Sequence, residues 1–370
     1  MAKIEHVEIS LVNLPPKVLR EDATQTFELQ ETPIVTITDS DGAQGTGYSY
    51  TIGTGGHSVV ALLEKTLAPA LIGRDPARIT GLWHDLLRRT NATSVGAITS
   101  LALAAIDTAL WDLACRKANL PLWKAAGGAR DHIPVYSTEG GWLNLETSQL
   151  VEDAVEKKRQ GFRGCKIKIG RPLHEDAARL AAMRQAVGDD FEIMVDANQS
   201  FSLSEALRRT SVLEDHGVGW FEEPLRADNV HAHATLARST RVPVAVGESM
   251  YSLSQFNEYL AADAASIIQV DVARIGGITP WLKVAALAEA HGVTVCPHFL
   301  MELHLSLVCA IPNAQWLEHI PQLDLITTGE VAIVDGIARP PETPGIGIDW
   351  NPEAIAARSE LTLHIGKANT

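Results

Sequence analysis

Lys168, Asp196, Glu222, Glu248, Asp271, His298 and Glu318 follow one another at intervals of 28, 26, 26, 23, 27 and 20 residues. Each stands at or near the end of a short apolar run: GCKIKIG, FEIMVDAN, GWFEEP, VPVAVGE, IIQVDV, VTVCPH and AQWLEH. Asp196, Glu222 and Glu248 are three acids at equal steps, and three carboxylates ending successive strands would repel one another without a cation. Hard oxygen ligands with no Cys or His among them favour Mg²⁺. In Cys165-Lys166-Ile167-Lys168-Ile169 the two-residue period of a strand sends both lysines to one face. Burial and mutual repulsion are expected to lower the pKa of Lys168 and make it a general base, with Lys166 tuning it or holding a substrate carboxylate. Asp271 is expected to fix the tautomer of His298, leaving the other ring nitrogen to exchange a proton. Glu318 is expected to donate a hydrogen bond to a substrate carboxylate, which requires a raised pKa. Asn198, two residues beyond Asp196, is expected to face the same way and support metal or substrate, or else to form the turn that follows the strand.

These intervals also predict the scaffold. A step of 20 to 28 residues holds one strand, one helix and two short loops, and a string of such units closes into a parallel barrel. With HIPVYST (132–138) counted there are eight strands, and the site residues ring the mouth formed by their C-terminal ends. The expected fold is a modified TIM barrel of the (β/α)7β type over residues 126–325. Residues 1–125 read differently. IEHVEISLVNL and PIVTITDSDGAQGTGYSYT alternate like strands around the Asp41-Gly42 hairpin signal. Helical patterns follow, with Asp75 and Pro76 placed to start one of them. This first third is expected to be an α+β domain, and the segment 326–370 is expected to return to it.

Composition narrows the class further. The 370 residues are 46% hydrophobic and 21% charged, enough for a large core. A net charge of −14 leaves no basic stripe for nucleic acid. Cys115, Cys165, Cys296 and Cys309 lack metal-type spacing and read as reduced thiols. The start, MAKIEHVEIS, has no apolar signal region, and the apolar stretch 97–114 carries Asp107 and Asp112 and falls short of an uninterrupted span. A cytoplasmic protein without a membrane partner is expected.

A divalent cation between a lysine base and a histidine–aspartate base is the equipment for removing a proton alpha to a carboxylate, where the enediolate needs its charge held. A barrel that merely held a metal would need neither Lys168 nor His298. The Lys-Ile-Lys motif, DAN, FEEP, GES, DVARIGGIT, PHF and WLEH resemble the mandelate racemase subgroup of the enolase superfamily across nearly the whole chain. That resemblance implies Asp196, Glu222 and Glu248 as magnesium ligands, Lys168 and His298–Asp271 as opposed bases, and Glu318 as the carboxylate-binding electrophile. It also implies a symmetric homo-oligomer and two capping-domain loops over the barrel mouth, about Pro15–Phe27 and Tyr48–His57. Arg20, Tyr48 and Tyr50 on these loops are candidate substrate contacts. YSTEGGWL, CKIKIG and PHFLMELHL are similar to talarate/galactarate dehydratases, and PALIGRD and LPLWKAAGG to 3,6-anhydrogalactonate cycloisomerases. Dehydration of a sugar acid to a 2-keto-3-deoxy acid is the expected reaction. Cycloisomerisation, or racemisation of a 2-hydroxy acid, is the alternative.

Overall fold

The computed structural model describes residues 2–366; residues 367–370 of the expected C-terminal segment lie outside them. From Ile133 onward strand and helix alternate as the spacing requires. The strands are Ile133–Ser137, Gly164–Lys168, Glu192–Asp196, Val218–Glu222, Val244–Val246, Ile267–Ile268, Thr294–Val295 and Leu317–His319. Seven helices separate them: Thr147–Arg159, Leu173–Val187, Leu203–Asp215, Val230–Ala237, Leu253–Ala261, Ile278–Ala290 and Met301–Ala310. Neighbouring strands pair in parallel, the eighth pairs with the first through Leu317↔Val135 and Glu318↔Tyr136, and a bridge between Val295 and Ala314 closes the ring. The result is a (β/α)7β barrel.

Register fixes the depth of the site. Lys168 is the direct partner of Asp196, and Asp196 of Glu222, so three strand-end side chains stand at one level. Below them Tyr136, Met194, Trp220, Ala245, Ile267, Cys296 and Trp316 form a separate buried cluster inside the barrel. This apolar floor keeps water from reaching the charged ring from beneath.

The N-terminal sheet is antiparallel, in the order Ser359–Gly366, Ile4–Leu14, Gln30–Asp39, Gln44–Tyr48, with Thr51–Ile52 also on Gln30–Asp39. Against it lies the helix Ala97–Ala118, long and apolar enough to cross a membrane but 83% buried inside the protein over its most apolar window. A Cβ at Gly47 would stand 2.3 Å from Ala109 N and 2.4 Å from Ala105 O, so only glycine lets strand and helix approach this closely. The helix's two acids are satisfied internally. Asp112 accepts from the backbone of Thr46 and Ile346, and Asp107 from the backbone N–H and hydroxyl of Thr279 in the barrel.

Two local readings change. Asp75 does not start a helix: it accepts from Ala77 N within a separate turn, and the helix begins at Ile79. The C-terminal segment divides its pairing. Its hairpin Ile333–Val334/Ile337–Ala338 extends the first barrel strand at Ile133 and Pro134, whereas Ser359–Gly366 joins the N-terminal sheet.

Candidate active site

Three carboxylates meet at the mouth of the barrel. Asp196 and Glu222 end the third and fourth strands, and Glu248 follows the fifth strand on a turn at Gly247. Gly247 has φ 154° and its absent Cβ would lie 2.5 Å from the backbone of Gln269, so a side chain here would push Glu248 away from its neighbours. One oxygen from each acid lies within 4.8 Å of the others, and all three residues are buried. Glu222 accepts from Gln269 Nε2 at 2.6 Å and Trp220 Nε1 at 3.0 Å. Burial, then Asp196 and Glu318, push its pKa up to about 7 against the pull of Lys166. Nearby, both oxygens of buried Glu223 and the buried Asn198 Oδ1 lack hydrogen-bond partners. A buried acid cluster built only of hard oxygens, with orphaned carboxylate and amide oxygens beside it, fits a divalent cation such as Mg²⁺.

Side-chain cations partly balance these acids. Lys168 Nζ lies on Asp196 Oδ2, and Lys166 Nζ lies 2.7 Å from Glu222 Oε1 and 2.9 Å from Glu318 Oε1. His298 bridges Glu248 and Asp271: Nε2 is 3.0 Å from Glu248 Oε2 and Nδ1 is 2.9 Å from Asp271 Oδ2. Lys168 and His298 therefore occupy opposite outer members of the carboxylate triad.

The electrostatics reverse two expectations. Burial pulls the Lys168 ammonium down and Lys166 adds to that, but Asp196, with Glu248 and Glu222 behind it, outweighs both and the net direction is up. For Glu318 the direction is the opposite of the raised pKa that was expected. Burial pushes it up, yet Lys166, His298, Thr138 and the Phe299 N–H together bring it down to about 2. Thr138 Oγ1 donates to Glu318 Oε1 at 2.6 Å and Phe299 N to Oε2 at 2.7 Å. His298 moves up to about 10: burial opposes the charge, but Glu248 and Asp271 more than offset it.

The loop residues separate. A small cavity above the triad is lined by Lys168, Asn198, Glu248, Arg274, His298 and Glu318, with Asp22, Gln25, Phe27 and Ile52 from the capping domain. Neither tyrosine lines it. Tyr48 is buried against Trp350 at 5.4 Å. Tyr50 donates its hydroxyl to Asp271 Oδ2 at 2.7 Å, and Arg274 Nε donates to Tyr50 Oη at 3.0 Å. Arg20 is ion-paired with Glu139 and donates to Gln322 Oε1 at 3.1 Å, pinning the lid beside the cavity instead of reaching into it. His57 pairs with exposed Glu360, away from the site.

Several participants were not singled out in the sequence. Gln269 could have been, because it precedes Asp271 by two residues in IIQVDV and so shares its face. Thr138 directly follows the first strand, which carries none of the seven spaced residues. His304 gave no signal: it accepts from Val272 N at 3.1 Å and donates from Nδ1 to Phe299 O at 2.7 Å, buttressing the turn after the sixth strand. His233 is fully buried beside Tyr259.

A (β/α)7β barrel with a carboxylate triad at its mouth and an α+β roof defines the enolase class of barrel enzymes. The chain belongs to the mandelate racemase/muconate lactonizing enzyme family of that superfamily. Residues 7–127 match the family's N-terminal domain and residues 149–354 the enolase C-terminal domain-like model. The chain is similar to L-talarate/galactarate dehydratase of Salmonella typhimurium, 35% identical over 99% of this chain and 93% of that protein. It is equally similar, at 35% over 93% of this chain and 96% of the other, to 3,6-anhydro-alpha-L-galactonate cycloisomerase of Streptomyces coelicolor. The Salmonella dehydratase liganded with Mg and L-lyxarohydroxamate superposes with a TM-score of 0.94 at 34% identity, covering 99% and 95% of the two chains. L-talarate dehydratase of Polaromonas sp. JS666 complexed with Mg and L-glucarate gives 0.92 at 34%, covering both chains in full.

Proposed function

We propose that this protein is an acid-sugar dehydratase that removes the proton alpha to a carboxylate and expels the beta-hydroxyl, giving a 2-keto-3-deoxy acid. The observation that carries this reading is the placement of Lys168 on Asp196 and His298 on Glu248, two proton-transfer groups flanking one triad. Asp196, Glu222 and Glu248 would hold Mg²⁺, which when bound neutralises charge developing on the substrate carboxylate. Lys166, with Glu318 keeping it in place, would bind that carboxylate. Lys168 or His298 takes the alpha proton according to the configuration of the substrate. The other base protonates the departing hydroxyl, so that water leaves and the enol ketonises. Asp271 holds His298 in register throughout. Asp22, Gln25, Asn198 and Arg274 around the cavity suit a small carboxylate rich in hydroxyls.

The equal similarity to the cycloisomerase supports a second reading, in which the same bases open an anhydro ring. A panel of hexarates, hexonates and anhydro-acids, incubated with Mg²⁺ and trapped with semicarbazide, separates the two. A new ketone from diacids or aldonates supports dehydration, and one from an anhydro-acid alone supports cycloisomerisation. Inversion without ketone, or no turnover across the panel, defeats both.

A further inference from the structure

A second constellation lies far from the barrel mouth, on the outer face of the N-terminal sheet where the first and last strands pair. His6 and Glu8 project from Ile4–Leu14, and His364 from Ser359–Gly366. Glu8 is the direct partner of His364, and His6 sits opposite Gly366, two residues along, so the three side chains share one face as a cross-strand pair and its diagonal neighbour.

Their donor atoms are already drawn together. His6 Nε2 is 3.3 Å from His364 Nδ1, His364 Nδ1 is 3.5 Å from Glu8 Oε2, and all three atoms lie within 4.8 Å of one another. Both spacings are longer than a well-formed hydrogen bond. Both match a different geometry: a tetrahedron with metal–ligand bonds of about 2.0–2.1 Å has edges of about 3.3 Å. The imidazole centroids are 5.4 Å apart and the ring planes differ by 21°. Half-exposed side chains at His364 and Glu8 leave that point open to ions from solvent. The next pair along the face, Ser10 and Thr362, is neutral and bonded to itself, so it does not compete.

We infer that His6, Glu8 and His364 form a binding site for a borderline divalent transition ion such as Zn²⁺, with water as fourth ligand, clasping the edge strand near the C-terminus to the strand near the N-terminus. Two imidazoles and one carboxylate discriminate against Mg²⁺, which prefers oxygen donors. The site is independent of the barrel's triad and of the reaction proposed for it.

The test uses the full chain, stripped of metal and then saturated with Mg²⁺, titrated with Zn²⁺ by calorimetry and with Co²⁺ by visible absorption. The wild-type protein is expected to take up one equivalent more than either His364→Ala or His6→Asn, and to show Co²⁺ bands of tetrahedral intensity that both variants lack. Any Zn²⁺ entering the triad does so in all three proteins and cancels in the difference. Both variants are expected to retain wild-type turnover, since neither residue approaches the cavity. Equal uptake by all three proteins, or loss in one histidine variant alone, overturns the site.

Discussion

Tyr50 of the capping domain donates its hydroxyl to Oδ2 of Asp271, the same oxygen that faces His298 Nδ1. One carboxylate oxygen thus links the lid to the histidine, and Arg274 steadies the link from behind by donating to Tyr50. Tyr50→Phe keeps the ring on Phe299 but removes a hydrogen bond to a charged group, about 1.5–3 kcal/mol. Expected is a fall of roughly tenfold to a hundredfold in proton exchange on the His298 face. Exchange on the Lys168 face stays near wild type. Deuterium incorporation from solvent into the two epimeric substrates reads both, and an equal fall on both faces would show that Tyr50 is merely structural.

Lys168→Ala should lower exchange of the alpha proton on its own face by a factor of about 10² to 10⁴. Mg²⁺ binding, measured by calorimetry, should persist because the three acids remain. Undiminished exchange would defeat the assignment of Lys168 as a base.

The positions of these groups were legible in the sequence, and their charge states were not. Strand-end spacing and two-residue alternation place Lys166, Lys168, Asp196 and Glu222 because both follow from backbone geometry alone. The direction of each pKa depends on which side chain the neighbouring strand offers. Lys166 and Lys168 look like mutual repellers until register sets Asp196 beside Lys168 and Glu222 beside Lys166. Glu318 looks protonated until Lys166, Thr138 and the Phe299 N–H converge on it. Loop residues were hardest to place. Tyr48 and Tyr50 are two apart, yet one ends a regular strand facing Trp350 and the other lies just beyond it, 221 residues in sequence from its partner Asp271.

Asp107 gives the fold a pH dependence separate from the site. Burial pushes its carboxyl up to about 7, against hydrogen bonds from Thr279. An unfolded Asp titrates near 3.9, so below about pH 4 both states carry the proton and stability is fully present. Between about pH 4 and pH 7 the unfolded chain has lost the proton that the fold retains. Stability then falls by about 1.4 kcal/mol per pH unit, about 4 kcal/mol in all, and levels off above pH 7. Asp107→Asn should lack this slope, so the stability difference between wild type and variant, read from urea melts, should change by about 3 kcal/mol between pH 4.5 and pH 7.5. A difference independent of pH would refute the raised pKa.

Gly47→Ala tests how the roof is packed. Its methyl would collide with the backbone of the helix Ala97–Ala118 at Ala105 and Ala109, which cannot move without dragging Asp107 off Thr279. Overpacking of this kind costs about 1–3 kcal/mol or more, and the thermal midpoint should fall accordingly. A midpoint within a degree of wild type would mean that strand and helix are less tightly apposed.

Removing the cation should abolish turnover while leaving the barrel folded, because Lys168, Lys166 and His298 each lie against a triad carboxylate. The same arrangement makes the lysine a competitor of the metal. In the cation-free wild type the ammonium of Lys168 neutralises Asp196, and binding must break that contact. In Lys168→Ala the carboxylate stays buried and uncompensated, a situation that costs about 3–5 kcal/mol when one partner of a buried pair is deleted. The cation then relieves that cost instead of displacing a partner, and it no longer meets a nearby positive charge. Mg²⁺ should therefore bind Lys168→Ala at least tenfold more tightly than wild type, and raise its thermal midpoint further, although the variant is catalytically impaired. Weaker binding in the variant would mean that Lys168 supports the cation site, and the competition inferred from its contact with Asp196 would be wrong.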